Sequence, residues 1–151
     1  MKVLCILSWV WIGLMVLSTA RNLFTGPPSQ ELIDSAKEQA ISGQPEEQLE
    51  QMKWLYDDIF YVMDESVNRH YEIEGSYLAF YLLGLAATIL MWKLRRAGYY
   101  MYLAYTIAII GGAAYFYYGL HGTYMYFFGG AAFLTGGLFS VLYGVQLKRM
   151  K

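Results

Sequence analysis

Few side chains in this sequence have the types and spacing that support chemistry. His70 and His121 are its two histidines, and imidazole is the commonest metal ligand in proteins. A metal or haem site formed by His70 and His121, in a membrane redox protein, is therefore one functional hypothesis. No ligand-spacing motif accompanies these residues. We favour the alternative that they are two unrelated interfacial histidines, and we expect no cofactor.

The other motifs that usually mark an enzyme are missing from the sequence. There is no Gly-rich loop followed by Lys-Ser/Thr, no nucleophile elbow and no H-E-x-x-H. The single cysteine, Cys5, excludes an intramolecular disulfide and a four-cysteine metal site. It lies in an apolar run and is expected to be an inert thiol that either faces lipid or is packed. The sequence therefore predicts a protein that is not an enzyme.

Composition narrows the class of protein further. The chain has 151 residues, 57% hydrophobic and 15% charged, with a net charge of −1. A disordered chain needs low hydrophobicity and high net charge, and a soluble domain is typically about a quarter charged. The clustered basic excess of a nucleic-acid binder is also missing. These features indicate a membrane protein whose first partner is the lipid bilayer.

The charges divide the chain into an acidic block and uncharged stretches. All 12 acidic residues lie between Glu31 and Glu74. The uncharged stretches cover residues 3–20, 75–92, 98–118 and 124–147. A hydrocarbon core of about 30 Å takes about 20 helical residues, and only helices satisfy the backbone of such spans internally. The sequence predicts an all-α fold, an integral membrane helical bundle of four spans with an acidic extracytoplasmic hairpin.

Basic residues predict the orientation of these spans. The Lys and Arg residues outside 21–75 all flank a span: Lys2, Lys93, Arg95, Arg96, Lys148, Arg149 and Lys151. If the N-terminus is inside, every one of them is cytoplasmic, as the positive-inside rule requires. The C-terminus is then cytoplasmic and residues 21–75 are extracytoplasmic.

The first stretch has two interpretations. Ser18-Thr19-Ala20 fits the small-x-small pattern of a signal-peptide cleavage site, which would leave three spans. The length of the run, with Trp9 and Trp11, favours retention as an anchor. We therefore divide the chain into residues 1–20 as anchor or signal peptide, 21–75 as acidic segment and 76–151 as three-span domain.

Residues 21–75 predict a helical hairpin. Ser29 is a candidate N-cap for a helix that runs to about Ile41 and is ended by Ser42-Gly43. Pro45 at the first position of a helix predicts the start of a second helix. Gly75-Ser76 predicts a bend before the next span, and the alternative is a helix that continues through Tyr71 and Glu74 into that span.

The second helix of this hairpin is amphipathic, and we call its apolar residues the docking stripe. They are Leu49, Met52, Tyr56, Ile59 and Met63. The opposite face carries Asp57, Asp58, Asp64 and Glu65 and is expected to be solvated. So short a hairpin has little core of its own. The stripe therefore either packs on the hairpin and the bundle, which we favour, or docks a partner.

These features favour a non-catalytic accessory or scaffold subunit with a membrane or periplasmic protein as its partner. An alternative is a lipid-binding or small-lipophile-binding protein that uses the aromatic residues around the outer turn.

The last two spans carry small residues at every fourth position. One row is Ala104, Ala108 and Gly112, and the other is Ala132, Gly136, Ser140 and Gly144. Small residues at this spacing let two helices approach closely. The rows predict either an antiparallel pair formed by the last two spans or a contact with another subunit in a homo-oligomer.

Two stretches are similar to known sequences. Residues 90–102, around Trp92-Lys93-Leu94-Arg95-Arg96, and residues 143–151, ending in Lys148-Arg149-Met150-Lys151, resemble small uncharacterised four-helix membrane proteins of Bacteroidota. The resemblance covers mainly the C-terminal half. It implies a four-helix architecture and a bacterial inner (cytoplasmic) membrane, and it carries no assigned activity.

Overall fold

The computed structural model describes residues 2–42, 44–118, 130 and 136–147. Within these ranges the chain forms helices and turns without a strand, so the all-α prediction is confirmed. The helices are α1 (Lys2–Thr25), α2 (Gln30–Ile41), α3 (Glu46–Gln51), α4 (Lys53–Asn68), α5 (His70–Trp92), α6 (Arg96–Phe116) and α7 (Gly136–Val145). Helix α5 is central, because it packs along both α1 and α6.

In the described part of the chain, two helices are long and apolar enough to cross a bilayer. They are Val3–Thr25 within α1 and His70–Trp92, with 23 residues each. At 1.5 Å per residue each measures about 35 Å, which exceeds the hydrocarbon thickness. In each helix only 22% of the most apolar stretch is buried in the fold. Many of the apolar residues of α1 are exposed, whereas most of those of α5 are half-buried between α1 and α6.

Helix α1 continues five residues beyond the predicted boundary at Ala20. Gly26 ends it, with φ 76°, and donates its N–H to the carbonyl oxygen of Asn22 at 3.0 Å. Glycine enters this left-handed region without a steric penalty, which makes it the usual residue just past a helix end. Arg21 does not stop the helix, because a single charge leaves the backbone hydrogen bonds intact.

The first arm of the hairpin begins and ends as predicted, but the second arm is interrupted. Ser29 caps α2 by accepting the N–H of Leu32, and α2 ends at Ile41. Met52 leaves helical geometry, with φ −105° and ψ 8°, and separates α3 from α4. Lys37 of α2 pairs with Asp64 of α4 and lies 5.6 Å above the Phe60 ring, which joins the two arms.

Two predictions about this region are wrong. Asp58, expected on a solvated face, is 1% exposed. The predicted bend at Gly75-Ser76 is also absent, since α5 runs unbroken through both residues and the break lies at Arg69, with φ −117° and ψ 25°. A glycine costs a helix interior only about 1 kcal/mol relative to alanine, so it does not force a bend.

The turn between α5 and α6 is a Schellman motif with an unusual residue. Leu94 has φ 56°, where glycine normally stands. Its N–H donates to the Met91 carbonyl at 2.9 Å, and the Arg95 N–H donates to the Leu90 carbonyl at 3.1 Å. The left-handed conformation places a leucine Cβ too close to the following carbonyl oxygen. Leu94 is therefore a strained position in a tight basic link.

Leu94→Gly is expected to raise the free energy of unfolding by about 1 kcal/mol, because it removes the left-handed penalty. The measurement is thermal or denaturant unfolding of the purified chain in detergent. Arg95→Gly is the matched control, since Arg95 has an ordinary extended conformation with φ −91° and ψ 128°. Equal stability of the two variants would contradict the assignment of strain to Leu94.

Candidate functional site

A pocket with polar side chains from several helices lies where the hairpin meets the bundle. It has a volume of about 570 Å³, and we call it the junction pocket. The end of α1, the start of α2 and the region where α4 meets α5 form its walls. Its polar side chains include Asn22, Ser29, Ser66, His70 and Glu74. The pocket therefore gathers residues from four helices at the acidic end of the fold.

His70 is a buried cross-link in this pocket. Its side chain is 7% exposed, and Nε2 lies 3.1 Å from the carbonyl oxygen of Asn22. A carbonyl oxygen only accepts, so Nε2 is the donor in this contact. Asn22 lies in the last turn of α1, where the helix dipole favours a donor. His70 thus ties the start of α5 to the end of α1.

The neighbouring polar groups also bond within the protein. Asn22 Nδ2 donates to Glu74 Oε1 at 3.0 Å, which adds a second link between α1 and α5. Ser66 Oγ donates to the carbonyl oxygen of Met63 at 2.7 Å, and Ser29 Oγ caps α2. These bonds support a structural role for the pocket, which fixes the angle at which the hairpin leaves the bundle.

Arg69 forms a second attachment at the break between α4 and α5. Its Nε and Nη2 donate to the two carboxylate oxygens of Glu72 at 2.9 and 2.6 Å, and Nη1 lies 3.3 Å from Glu65. The guanidinium also lies 5.2 Å from the ring centres of Tyr115 and Phe116 at the end of α6. Bidentate bonds to Glu72 raise the pKa of Arg69 above its ordinary value. Arg69 therefore joins the hairpin to α5 and α6.

The metal hypothesis stays a prediction. Within the described residues, no group of three or more His, Cys, Asp or Glu side chains is placed to hold a metal ion. His121 lies outside the described residues, so its position relative to His70 is not part of the structure. The Nε2 of His70 is already directed at a carbonyl oxygen.

The docking stripe is partly covered. Leu49, Tyr56, Ile59 and Met63 are half-buried within the hairpin, as packing of its arms requires. Met52, at the break between α3 and α4, is 42% exposed. Trp54, two residues further on, is also 42% exposed. The accessible apolar surface of the second arm is thus concentrated at its interruption.

The second row of small residues faces α6. A Cβ added to Gly136 would lie 2.7 Å from Thr106 Cγ2, and one added to Gly144 would lie 3.2 Å from the Tyr99 hydroxyl. Ser140, between them, is buried at 8% exposure. Ala132 lies outside the described residues.

Gly112 of the first row faces a different helix from Gly136 and Gly144 of the second row. A Cβ on Gly112 would lie 2.9 Å from Phe80 of α5, so this glycine faces α5 rather than α7. Ala104 is exposed and Ala108 is half-buried. The small residues of α7 instead pack against Tyr99 and Thr106 of α6.

One buried polar contact was missed by the sequence-based predictions. Tyr143 of α7 donates its hydroxyl hydrogen to Ser8 Oγ of α1 at 2.9 Å, and Tyr143 is fully buried. Ser8 lies between Cys5 and Ile12 at helical spacing, and all three are buried. A lone serine on the buried face of an apolar helix is the signal that indicates such a contact.

The comparisons with known proteins add no assignment. No protein-family model, no curated protein and no solved structure matches this chain. The resemblance to four-helix membrane proteins of Bacteroidota therefore stays a prediction. What the protein does has to be argued from its own residues.

Proposed function

We propose that this chain is a non-catalytic accessory subunit of a bacterial inner membrane, with four spans and an acidic hairpin that docks a partner outside. The length and apolar composition of α1 and α5 support membrane insertion. Helices α6 and α7 pack against each other through Gly136 and Gly144, which is consistent with α7 being part of a fourth span.

The charge separation supports the orientation. Residues near the start of α1 and the end of α5 line one common groove, so Lys2 and Lys93 belong to the same end of the bundle. The acidic residues 31–74 begin after the other end of α1. If the basic end of the bundle stays in the cytoplasm, as the positive-inside rule requires, the hairpin lies outside.

The contacts of α1 support its retention as an anchor. Cys5 and Ile12 belong to the main core cluster, and Ser8 accepts the hydrogen bond of Tyr143. Cleavage after Ala20 would remove all three residues from the core. A removed signal peptide has no need of such contacts.

The exposed pair Met52 and Trp54 carries the proposal of a partner. Both lie at the interruption between α3 and α4, within a segment that holds all of the chain's carboxylates. An exposed apolar patch with a charged rim is typical of a protein-interaction site. The complementary surface is an apolar pocket with a basic rim, and its charge would steer the encounter.

Affinity purification of the full chain from membranes in mild detergent tests the proposal. We expect one protein to co-purify with the wild type and to be lost from Trp54→Ala. Trp11→Ala is the matched control, because Trp11 of α1 is similarly exposed at 56% but lies away from the hairpin. Equal recovery of every co-purifying protein with Trp54→Ala and wild type would overturn the docking role.

A further inference from the structure

A groove between α1 and α5 lies at the basic end of the fold, far from the acidic hairpin. It has a volume of about 460 Å³, and we call it the inner groove. Cys5 of α1 and Thr88 of α5 are buried at its floor, at 2% and 1% exposure. Trp9 and Trp92 rise beside them and are about half exposed, at 55% and 47%.

The shape and lining of the inner groove suit an acyl chain. Apart from Thr88 and Lys93, its lining side chains are apolar or a thiol. Thr88 directs its hydroxyl to the Leu85 carbonyl oxygen at 2.8 Å, so it presents its methyl group rather than a free donor. A long apolar ligand is therefore bound without leaving a buried polar group unsatisfied.

The positive charge at the mouth of the inner groove favours a lipid with an anionic headgroup. Lys93 lies there and is exposed. No Asp or Glu follows Glu74 in the sequence, and the helix places Glu74 about 28 Å from Lys93 along α5. Arg95, in the same link, adds a second exposed cation. A basic pocket between spans on the cytoplasmic side is a feature that attracts anionic headgroups.

We propose that the inner groove is a binding site for one anionic phospholipid, with an acyl chain between Trp9 and Trp92 and the phosphate at Lys93. The tryptophans are placed as at a membrane interface, where their rings lie at headgroup depth. The site rests on the proposed membrane insertion, but it is independent of any partner of the hairpin.

Native mass spectrometry of the full chain in detergent, with an equimolar mixture of phosphatidylglycerol and phosphatidylcholine, tests the site. We expect the wild type to retain one phosphatidylglycerol in preference to phosphatidylcholine. Lys93→Gln should reduce that preference about fivefold, the value of one basic residue near an anionic headgroup. Arg95→Gln is the matched control in the same link and should reduce it less, because Arg95 does not line the groove.

Val10→Trp tests the groove itself. Val10 lines it and is 54% exposed, so a larger side chain fills the groove without disturbing the core. We expect loss of the retained lipid, whereas Leu17→Trp, at a 69% exposed position elsewhere on α1, should keep it. The proposal would be overturned if the wild type retained phosphatidylglycerol and phosphatidylcholine equally. It would also be overturned if Lys93→Gln left the preference for phosphatidylglycerol unchanged.

These outcomes separate the lipid site from the proposed function. Suppose that the chain stays in the membrane fraction after alkaline carbonate extraction and that Trp54→Ala loses its partner. If no lipid preference is seen, only the lipid site fails. If phosphatidylglycerol is retained and no partner depends on Trp54, only the docking role fails.

Discussion

Gly98→Ala should lower the free energy of unfolding by about 3 kcal/mol, at the upper end of the cost of overpacking a core. Gly98 is buried in the first turn of α6, against the last turns of α5. An added Cβ would lie 2.6 Å from the Met91 nitrogen and 2.8 Å from the Ala87 carbonyl oxygen. Both are backbone atoms of a helix, so they cannot move away by a rotamer change as a side chain can. The methyl group therefore has to push α6 away from α5.

The matched control is Gly111→Ala in the same helix. No atom lies within 4 Å of a Cβ added there. This change should raise stability by about 0.5 to 1 kcal/mol, because glycine is the weaker helix former. Unfolding of both variants in the same detergent, followed by circular dichroism, makes the comparison. Similar stability of Gly98→Ala and Gly111→Ala would contradict the close contact between α5 and α6.

Gly136→Leu is the second change with a large expected effect, again about 3 kcal/mol of lost stability. The Cβ alone would lie 2.7 Å from Thr106 Cγ2, and Thr106 is 9% exposed with its hydroxyl bonded to the Tyr102 carbonyl oxygen. The threonine methyl group therefore has little room to move. Separation of α7 from α6 would also strain the contact between Tyr143 and Tyr102, whose rings are 5.2 Å apart.

A double-mutant cycle assigns this effect to the α6–α7 contact. Thr106→Ala removes the Cγ2 atom that Gly136 approaches, so Gly136→Ala should cost less in the Thr106→Ala background than in the wild type. Gly13→Leu is the control for the size of the side chain, because a Cβ at Gly13 meets nothing within 4 Å. Additive costs of Thr106→Ala and Gly136→Ala would show that the two residues do not touch.

Helix ends marked by local signals could be predicted from the sequence, whereas breaks without such signals could not. Ser29 and Ser42 mark the two ends of α2, because their side chains and backbone satisfy local hydrogen bonds. Met52 and Arg69 each interrupt a helix, although no glycine or proline lies nearby. At Arg69 the break is held by the carboxylates of Glu65 and Glu72 and by rings of α6. The contact between Arg69 and the rings of α6 joins residues that are distant in sequence, so local sequence patterns do not predict it.

At the candidate site, too, the sequence predicts some features and not others. The spacing of Gly136, Ser140 and Gly144 predicts a face with room for a neighbouring helix, and a Cβ added to Gly136 or Gly144 would contact α6. It does not reveal which residues fill that room, because the receiving side chains, Tyr99 and Thr106, follow no small-residue pattern. His70 was singled out for its chemistry, but its bond to the Asn22 carbonyl depends on how α1 and α5 align.

We propose that the chain spans a membrane with its hairpin outside and its α5–α6 link inside. Cysteine labelling in spheroplasts tests it most directly. In a Cys5→Ser background, Gln39→Cys and Ala97→Cys each place one thiol at an exposed position, in α2 and at the start of α6. With a membrane-impermeant maleimide, we expect Gln39→Cys to be labelled in intact spheroplasts and Ala97→Cys only after lysis. Equal labelling of the two thiols before lysis, or labelling of Ala97→Cys alone, would contradict it.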